Sequence, residues 1–244
     1  MSVPPDLAVV VPVYNERDNI LPLLTEIAAS LRGWLRYELI YVDDASQDES
    51  LAVLRAAMAD YPELRVLHHA RQSGQSSALR TGIRAAQARW IATLDGDGQN
   101  DPADIRKLLA ARDCHPSSVK LFAGWRVTRR DRASKRLASK LANAIRGFLL
   151  QDETPDTGCG IKLFERAVWL ELPWFDHMHR YLPALVRRAG YQSVSIPVNH
   201  RERGSGVSKY TNLGRAWVGL ADLRGVAWLI RRNRHPAASE LPRP

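Results

Sequence analysis

The sequence predicts an α/β fold built on a mainly parallel sheet with helices on both faces. Near-continuous apolar runs of strand length alternate with segments in which apolar residues recur at helical spacing. Strands that are apolar throughout are typical of parallel sheets covered on both sides. With 244 residues, 45% of them hydrophobic, the chain is large enough for one such domain and a short appendage.

The predicted elements follow a regular order in the first half of the chain. Strands are predicted at residues 7–13, 37–42, 64–68, 90–94 and 119–124. Helices are predicted at residues 16–31, 48–59 and 76–88, and a fourth begins with Pro102 in its first turn. Beyond residue 124 the pattern predicts a basic amphipathic helix at 132–149, a loop at 152–160, strands at 161–164 and 192–198, and a helix at 209–232.

Three polar clusters follow predicted strands directly, at residues 12–16, 43–46 and 95–99. Ligands of parallel sheets bind beyond the carboxyl ends of the strands, so these clusters are expected at one crevice. Asp95, Asp97 and Gln99 occupy alternate positions, which places three oxygen-bearing side chains on one side of an extended turn. Such ligands are typical of Mg²⁺ or Mn²⁺ held against a diphosphate, although a solvated turn has similar residues.

Composition restricts the class of partner. The net charge is +9, and residues 120–150 contain nine Lys or Arg against one Asp, while residues 200–234 contain eight against two acidic residues. This concentration indicates an anionic partner such as a lipid headgroup, a phosphate or nucleic acid, unless the surface is merely basic.

Cys114 and Cys159 lack metal-site spacing, which favours a reducing cytosol. Neither a secretory signal nor a membrane-spanning run of ~18 apolar residues is expected.

Five motifs occur in order along the chain. They are V-P-V-Y-N-E at residues 11–16, V-D-D-A-S at 42–46, D-G-D-G-Q-N-D-P at 95–102, D-T-G-C-G-I-K at 156–162, and H-R-E-R at 200–203 with G-V-S-K-Y at 206–210. In this order the chain resembles family 2 glycosyltransferases with a GT-A fold. Within them it is similar to the polyprenyl-phosphate glycosyltransferases of the dolichol-phosphate mannosyltransferase type.

The resemblance implies a Rossmann-like GT-A catalytic domain at residues 1–208 that binds a UDP- or GDP-sugar. The implied donor-binding residues are Pro12, Tyr14, Glu16, Asp43, Asp44, Asp95 and Lys209. Asp95, Asp97 and Gln99 would hold Mg²⁺ or Mn²⁺. Asp97 and Arg201 are implied catalytic residues, because a divalent ion and an arginine stabilise the charge on a departing diphosphate.

The implied acceptor is a membrane polyprenyl phosphate of the undecaprenyl or dolichyl type. A phosphate monoester has a second pKa of about 6, so it needs little help from a base, and one in-line attack inverts the sugar. Asp156 is the third implied catalytic residue, orienting the acceptor or accepting a residual proton. Arg126, Arg136 and Ser139 are candidates for binding its phosphate. Alternative candidates for the phosphate are Lys135, Arg129, Arg130 and Arg132, which would contact anionic lipid instead if they do not bind it.

Residues 209–234 are predicted to form an amphipathic helix, and residues 235–244 a disordered tail. The apolar stripe consists of Leu213, Ala216, Trp217, Leu220, Leu223, Ala227 and Ile230. Such a helix either lies in the interface of an anionic membrane or packs on the domain or on another subunit. The first alternative places the protein peripherally, at the cytosolic face of the membrane.

Three alternatives compete with a polyprenyl-phosphate transferase in cell envelope biosynthesis. The same donor chemistry serves another acceptor, such as a lipid A precursor or a polysaccharide. A nucleic-acid-binding module would use the basic segments but leave Asp95, Asp97 and Asp156 without a role, so no nucleic-acid partner is expected. A non-catalytic relative would not need these carboxylates. The sugar, the choice between UDP and GDP, and the oligomeric state are not specified by the sequence.

Overall fold

The computed structural model describes residues 3–127, 146–147, 149–150, 152, 154–201, 212–234 and 239–240, with the backbone alone at 212–217. Within these residues the strands are β1 Leu7–Val13, β2 Tyr37–Asp43, β3 Leu64–His68, β4 Trp90–Thr93, β5 Val119–Arg126, β6 Lys162–Glu165 and β7 Gln192–Val198. The helices are α1 Arg17–Leu31, α2 Ser50–Ala57, α3 Gln75–Ala85, α4 Asp104–Cys114, α5 Arg166–Glu171, α6 Leu182–Arg188 and α7 Asn212–Arg231, and a 3₁₀ turn spans Met178–Arg180.

These strands form one sheet in the order β3-β2-β1-β4-β6-β5-β7. Adjacent strands are parallel except at β6, which runs antiparallel to both of its neighbours, β4 and β5. The register pairs Val13 with Asp43 and Asp43 with His68, so the ends of β1, β2 and β3 lie at one edge. The predicted mainly parallel sheet is confirmed.

Successive residues of β1 alternate between two apolar cores, as expected of a strand covered on both faces. Val9 and Val11 belong to the core that includes side chains of α1, α2 and α4. Ala8 and Val10 belong to the core that includes side chains of α3, α5, α6 and α7. All four are fully buried, and helices cover both faces of the sheet as predicted.

The second half of the chain differs most from expectation. The helices α5 and α6 and the 3₁₀ turn lie where no element was predicted, because segments of three to seven residues are too short to show a period. The fourth helix was expected to have Pro102 in its first turn, but it begins at Asp104. A turn precedes it, in which Asp101 Oδ1 accepts the Ala103 N–H at 3.1 Å. Of the predicted basic helix at residues 132–149, residues 132–145 and 148 lie outside the described part, and residues 146, 147 and 149 are helical.

Helix α7 packs on the domain through one face. Leu223 and Ala227, from the predicted stripe, are buried together with Val226 in the core that contains α6. Leu220 belongs to the same stripe but is 47% exposed, so the predicted amphipathic pattern is not confirmed. Arg188 Nε donates to the Leu229 carbonyl at 3.0 Å, which attaches the helix further. Within the described residues, no helix has the length and apolar character needed to span a membrane.

The boundary predicted at residue 208 lies in a part of the chain, residues 202–211, that the structure does not describe. Residues 235–238 and 241–244 of the predicted tail also lie outside the described residues. The three-part division into a catalytic domain, a helix and a tail therefore stays a prediction.

Candidate active site

A cleft of about 880 Å³ opens at the carboxyl edge of the sheet, where the sequence places the three polar clusters. The predicted residues that line it are Pro12, Tyr14, Glu16, Asp44, Asp95, Asp97, Gln99 and Arg126. Its volume is within the range of small-molecule sites, roughly 300–1,000 Å³. The fold thus brings residues from the ends of β1, β2, β4 and β5 to one binding site.

Hydrogen bonds connect the loop after β1 to the loop after β2. The Asn15 N–H donates to Ser46 Oγ at 2.9 Å, and Asn15 Oδ1 accepts the Gln47 N–H at 2.7 Å. The Glu16 N–H donates to Ser50 Oγ at 3.0 Å. Asn15 has a φ of 53°, a left-handed conformation that asparagine tolerates better than most residues. The V-P-V-Y-N-E motif is therefore held against V-D-D-A-S at the cleft wall.

The two adjacent aspartates at the end of β2 have different surroundings. Asp43 is fully buried, accepts a hydrogen bond from the Ser46 N–H and pairs with His68 Nδ1 at 2.8 Å, and it is not among the described lining residues. Asp44 lines the cleft. Its carboxylate contacts His69 Nδ1 at 2.7 Å and accepts the Gly74 N–H at 2.7 Å. Asp44 is the better placed of the two to meet a ligand.

Asp95 lines the cleft just after the end of β4. Its Oδ1 accepts a hydrogen bond from Gln75 Nε2 at 2.8 Å, and its N–H donates to Asn100 Oδ1 at 3.0 Å. Burial and the neighbouring charge of Asp97 raise the pKa of Asp95 to about 6, against the opposing influence of Lys162. Two carboxylates close enough to repel each other are a suitable donor set for a divalent cation, which would relieve that repulsion.

Gly160 allows Asp95 to occupy this position. A Cβ built on Gly160 would lie 2.1 Å from Asp95 Oδ2 and 2.3 Å from its Cγ, far inside van der Waals contact. The Gly160 backbone is fixed in turn, since its carbonyl accepts a hydrogen bond from Thr93 Oγ1 at 2.7 Å. Gly160, the second glycine of D-T-G-C-G-I-K, thus leaves the space that the carboxylate of Asp95 occupies.

Replacing Gly160 by Ala is expected to lower kcat/KM by roughly 10²-fold, because the Asp95 carboxylate must move by about 1 Å. The circular dichroism spectrum should stay native-like. Gly225→Ala is the matched control, because a Cβ there meets nothing within 4 Å on the exposed side of α7. Steady-state kinetics of both variants check this; full activity of the Gly160 variant would contradict the assignment.

The sequence predicts three side-chain ligands for a metal, Asp95, Asp97 and Gln99, which are fewer than a divalent cation needs. Asp97 and Gln99 line the cleft beside Asp95, and Asp97 Oδ1 accepts the Gln99 N–H at 3.1 Å. Gln99 Nε2 donates weakly to the Arg201 carbonyl at 3.5 Å. In the described residues, no group of three or more His, Cys, Asp or Glu side chains converges as a metal site. A cation here would need phosphate oxygens and water to complete its coordination.

Arg126 and Asp156 form a bidentate ion pair at the edge of the cleft. Arg126 Nε and Nη2 donate to Asp156 Oδ2 and Oδ1 at 2.6 and 2.8 Å, and the Gly158 N–H donates to Oδ1 at 3.2 Å. Burial alone would lower the pKa of Arg126. The hydrogen bonds and the negative charge of Asp156 together outweigh that effect, so the pKa lies above its ordinary value. Both carboxylate oxygens of Asp156 are engaged, so its geometry suits orientation of Arg126 better than proton transfer.

Several lining residues were missed by the sequence reasoning. Lys162 is buried on the cleft floor, where its Nζ donates to the Cys159 carbonyl, and burial lowers its pKa. Ser76 Oγ and His179 Nδ1 form a hydrogen bond at 2.6 Å, and both residues line the cleft with Gln75. Lys162 could have been noticed as the last residue of D-T-G-C-G-I-K. Gln75 and Ser76 open α3 several residues after β3 ends, so the signal of the other clusters, polar residues directly after a strand, does not mark them.

Arg201 lies beside the loop that bears Asp97 and Gln99 but is not among the described residues that line the cleft. Its N–H donates to the Gln99 carbonyl at 3.0 Å, while its guanidinium contacts Glu26 Oε2 at 2.6 Å and Asp101 Oδ1 at 2.9 Å. In this arrangement two carboxylates hold the side chain that was expected to reach the diphosphate. Arg136, Ser139 and Lys209 lie outside the described residues.

Sequence comparison is consistent with this site. The sequence model of the family described as Glycosyl transferase family 2 matches residues 8–172, which include the loops that bear Asp44, Asp95, Asp97 and Asp156. The chain belongs to glycosyltransferase family 2. This transferase is 34% identical over 238 residues to dodecaprenyl-phosphate galacturonate synthase of Rhizobium johnstonii. It is 33% identical over 207 residues to undecaprenyl-phosphate 4-deoxy-4-formamido-L-arabinose transferase of Edwardsiella ictaluri.

The alignments cover 95% and 84% of this glycosyltransferase, which spans 69% and 62% of the lengths of the two relatives. Among solved structures, one match is the mannosyltransferase PcManGT from Pyrobaculum calidifontis in complex with GDP-Man and Mn²⁺. Its TM-score is 0.66 and its sequence identity 21%, and the match covers 96% of this chain and 67% of that one. A second match is glucosyl-3-phosphoglycerate synthase from Mycobacterium tuberculosis in complex with Mg²⁺ and UDP, with a TM-score of 0.67 and 16% identity; it covers 93% of this chain and 79% of that one. These matches confirm the GT-A fold.

Proposed function

We propose that this family 2 glycosyltransferase moves a sugar from a nucleotide-diphosphate sugar to a membrane polyprenyl phosphate. The observation that carries the proposal is the cleft in which Asp95 and Asp97, suited to a metal-bound diphosphate, lie beside the Arg126–Asp156 pair, suited to a second phosphate. The named relatives differ in their sugar, but both names contain a polyprenyl phosphate. Two phosphate-binding regions in one cleft match a diphosphate donor and a phosphate acceptor.

On the donor side, residues of the loops after β1 and β2 bind the nucleoside. Pro12, Tyr14 and Glu16 line that end of the cleft, and Asp44 faces the base or the ribose, whose N–H and O–H groups a carboxylate accepts well. Asp95 and Asp97, with Gln99, would hold Mg²⁺ or Mn²⁺. When bound, the ion neutralises negative charge that develops on the departing diphosphate.

On the acceptor side, Arg126 presents a charged guanidinium whose direction is fixed by Asp156. A phosphate monoester is largely ionised at neutral pH, because its second pKa is about 6. The acceptor oxygen therefore attacks without a strong base, and Asp156 acts as a positioning residue. A single in-line displacement of this kind inverts the anomeric centre. Arg136 and Ser139 complete the proposed phosphate site.

The acceptor is a lipid, so the reaction takes place at a membrane surface. We place it at the cytosolic face with the protein attached peripherally, because the basic segments at residues 120–150 and 200–234 attract anionic headgroups. The exposed Trp228 and Leu220 on α7, near Arg231 and Arg232, support contact with the headgroup region.

A transfer assay tests the proposal. Purified protein, Mn²⁺ and radiolabelled UDP- and GDP-sugars are incubated with vesicles that contain undecaprenyl phosphate, and label in the lipid fraction is measured. We expect Mn²⁺-dependent transfer that EDTA abolishes. Parallel assays offer a lipid A precursor or a polysaccharide; transfer to these alone would overturn the acceptor, and nucleotide-sugar binding without any transfer would overturn the reaction.

A further inference from the structure

A buried lysine lies on the floor of the cleft, at the start of β6. Lys162 pairs with Thr93 of β4 and is only 4% exposed, yet it is one of the residues that line the cleft. Its Nζ donates a hydrogen bond to the Cys159 carbonyl. Of the described residues, no other accepts a hydrogen bond from this ammonium, which has three N–H groups. A ligand in the cleft therefore finds N–H groups that the described part of the protein does not use.

Two glycines flank the residue whose carbonyl holds this ammonium. A Cβ built on Gly158 would lie 3.2 Å from Arg126 Nη2. One built on Gly160 would lie 2.1 Å from Asp95 Oδ2. Cys159 lies between the glycines, whose Cα atoms are at most about 7 Å apart even along an extended chain. The ammonium is therefore held between the carboxylate proposed for the donor and the guanidinium proposed for the acceptor.

The positive charge of Lys162 is only partly offset by the protein. No carboxylate of a described residue forms a direct ion pair with it, although the charges of Asp95 and Asp156 act on it from a longer distance. Burial lowers the pKa of its ammonium, against the opposing influence of these carboxylates. A buried cation costs free energy unless it is paired, and an anionic group of a ligand would supply the pairing.

The two arginines that the sequence assigns to phosphate groups are both bound to carboxylates. Arg126 is paired with Asp156 through two hydrogen bonds. Arg201, expected at the diphosphate, is held by two carboxylates and is not among the described residues that line the cleft. Lys162 lies inside the cleft, close enough for its charge to oppose the rise in the pKa of Asp95. It is thus a cation at the place where Arg201 was expected.

We propose that Lys162 is a catalytic residue whose ammonium donates a hydrogen bond to a phosphate oxygen where the two substrates meet. This inference rests on the proposed function and adds a residue to it. When the acceptor oxygen attacks the anomeric carbon, the bond from that carbon to the diphosphate breaks, and its electron pair stays on the departing oxygen. A cation fixed beforehand in a buried site stabilises such charge better than water does. Lys162 keeps its proton throughout.

Either of two phosphates supplies that oxygen. On the donor side, the ammonium would stabilise the charge that the diphosphate gains as it departs. On the acceptor side, it would reduce the repulsion between two anions that have to approach each other. The contact is the same in both cases, a compact point charge on a phosphate oxygen, for which a lysine is suited.

Lys162→Met tests the contact, because methionine is similar in length and has no charge. We expect kcat/KM for transfer to undecaprenyl phosphate to fall by about 10²-fold or more. The melting temperature should stay at or above that of the wild type, since a buried charge without a direct ion pair is removed. Unchanged kcat/KM would overturn the inference. Should a lower melting temperature accompany the loss, Lys162→Gln separates the two effects, because its amide N–H still reaches the Cys159 carbonyl without a charge. Recovery of the melting temperature alone would support the inference, and recovery of activity as well would overturn it.

Lys120→Met is the matched control. Lys120 lies on the neighbouring strand β5, is partly buried and forms an ion pair with Glu165. It is not among the described residues that line the cleft. We expect its melting temperature to fall, because Glu165 loses a partner, and its kcat/KM to match that of the wild type. The two lysines should therefore give opposite results, a loss of activity for Lys162 and a loss of stability for Lys120.

Calorimetry identifies the phosphate and separates the two proposals. Weaker binding of UDP or GDP to Lys162→Met than to the wild type, with Mn²⁺ present, assigns the contact to the diphosphate. Unchanged nucleotide affinity with a higher KM for undecaprenyl phosphate assigns it to the acceptor, and a loss confined to kcat assigns it to the transition state. Weaker nucleotide binding by the variant, with no transfer to lipid by the wild type, would support the inference and overturn the polyprenyl phosphate acceptor. Transfer to lipid by both proteins with equal kcat/KM would support the acceptor and overturn the inference.

Discussion

Replacing Asp97 by Asn should lower kcat/KM by roughly 10²–10³-fold, because under the proposed function this carboxylate helps to hold the ion that would stabilise the leaving diphosphate. The affinity for Mn²⁺ in the presence of a nucleoside diphosphate, measured by calorimetry, should fall in parallel. Asparagine is nearly isosteric and its Oδ1 still accepts the Gln99 N–H, so the loop should keep its conformation. Unchanged Mn²⁺ affinity would remove Asp97 from the metal site.

The same substitution should raise the stability of the metal-free protein near neutral pH. Burial and the charge of Asp97 raise the pKa of Asp95, so the folded state binds that proton more tightly than the unfolded state does. Stability from this group is present at low pH and is lost as the pH rises from about 4 to about 6. Removing the Asp97 charge lessens that loss. A melting temperature at pH 7 above that of the wild type would distinguish this effect from simple loss of a structural contact.

Asp113→Asn is the control for both measurements on Asp97. Asp113 is an exposed residue of α4 whose carboxylate pairs with the neighbouring Arg112 at 2.7 Å. It lies outside the residues that line the cleft. We expect its kinetics, Mn²⁺ affinity and melting temperature to match those of the wild type.

Replacing Asp156 by Ala is expected to lower the free energy of unfolding by about 3–5 kcal/mol, because Arg126 would be left charged, largely buried and without its carboxylate. Transfer activity should fall as well, since the guanidinium loses the two bonds that orient it. Guanidinium chloride unfolding of the purified variant measures the first effect. Asp6→Ala, which removes an exposed pair with Arg36, should cost only about 0.5 kcal/mol.

A double-mutant cycle separates the pair from its surroundings. Arg126→Met with Asp156→Leu removes both charges, so the double variant should be more stable than the sum of the single losses implies. The double variant should remain inactive even where its stability recovers, because the phosphate contact proposed for Arg126 would be absent. Recovery of transfer in the double variant would show that neither charge takes part in the reaction.

The sequence predicted those features of the fold that depend on local pattern. The apolar runs at β1 and β2 are buried on both faces and contain no competing signal, so their positions were found to within one residue. The D-G-D-G-Q turn was recognisable because polar residues follow a buried strand directly. The short helices α5 and α6 were not predicted, since six or seven residues give too little periodicity.

The parts of the site that could not be predicted depend on contacts between distant residues. Ser76 and His179 are 103 positions apart, and nothing in either local sequence indicates that they meet. Arg201 and Glu26 are separated by 175 positions, so an arginine expected at the diphosphate is instead bound to α1. Such partners are fixed by the packing of helices on the sheet, which a local pattern does not determine.

The reversed direction of β6 has a topological consequence for the edge of the sheet that bears the cleft. Because β6 runs against β5, the end of one strand and the beginning of the next lie at the same rim of the sheet. The connection between them therefore begins and ends at the rim where the cleft opens, since Arg126 and Gly160 both line it. Under the proposed function, exchange of this one connection would alter the lipid side of the site and leave the nucleotide side, built on β1 and β2, unchanged.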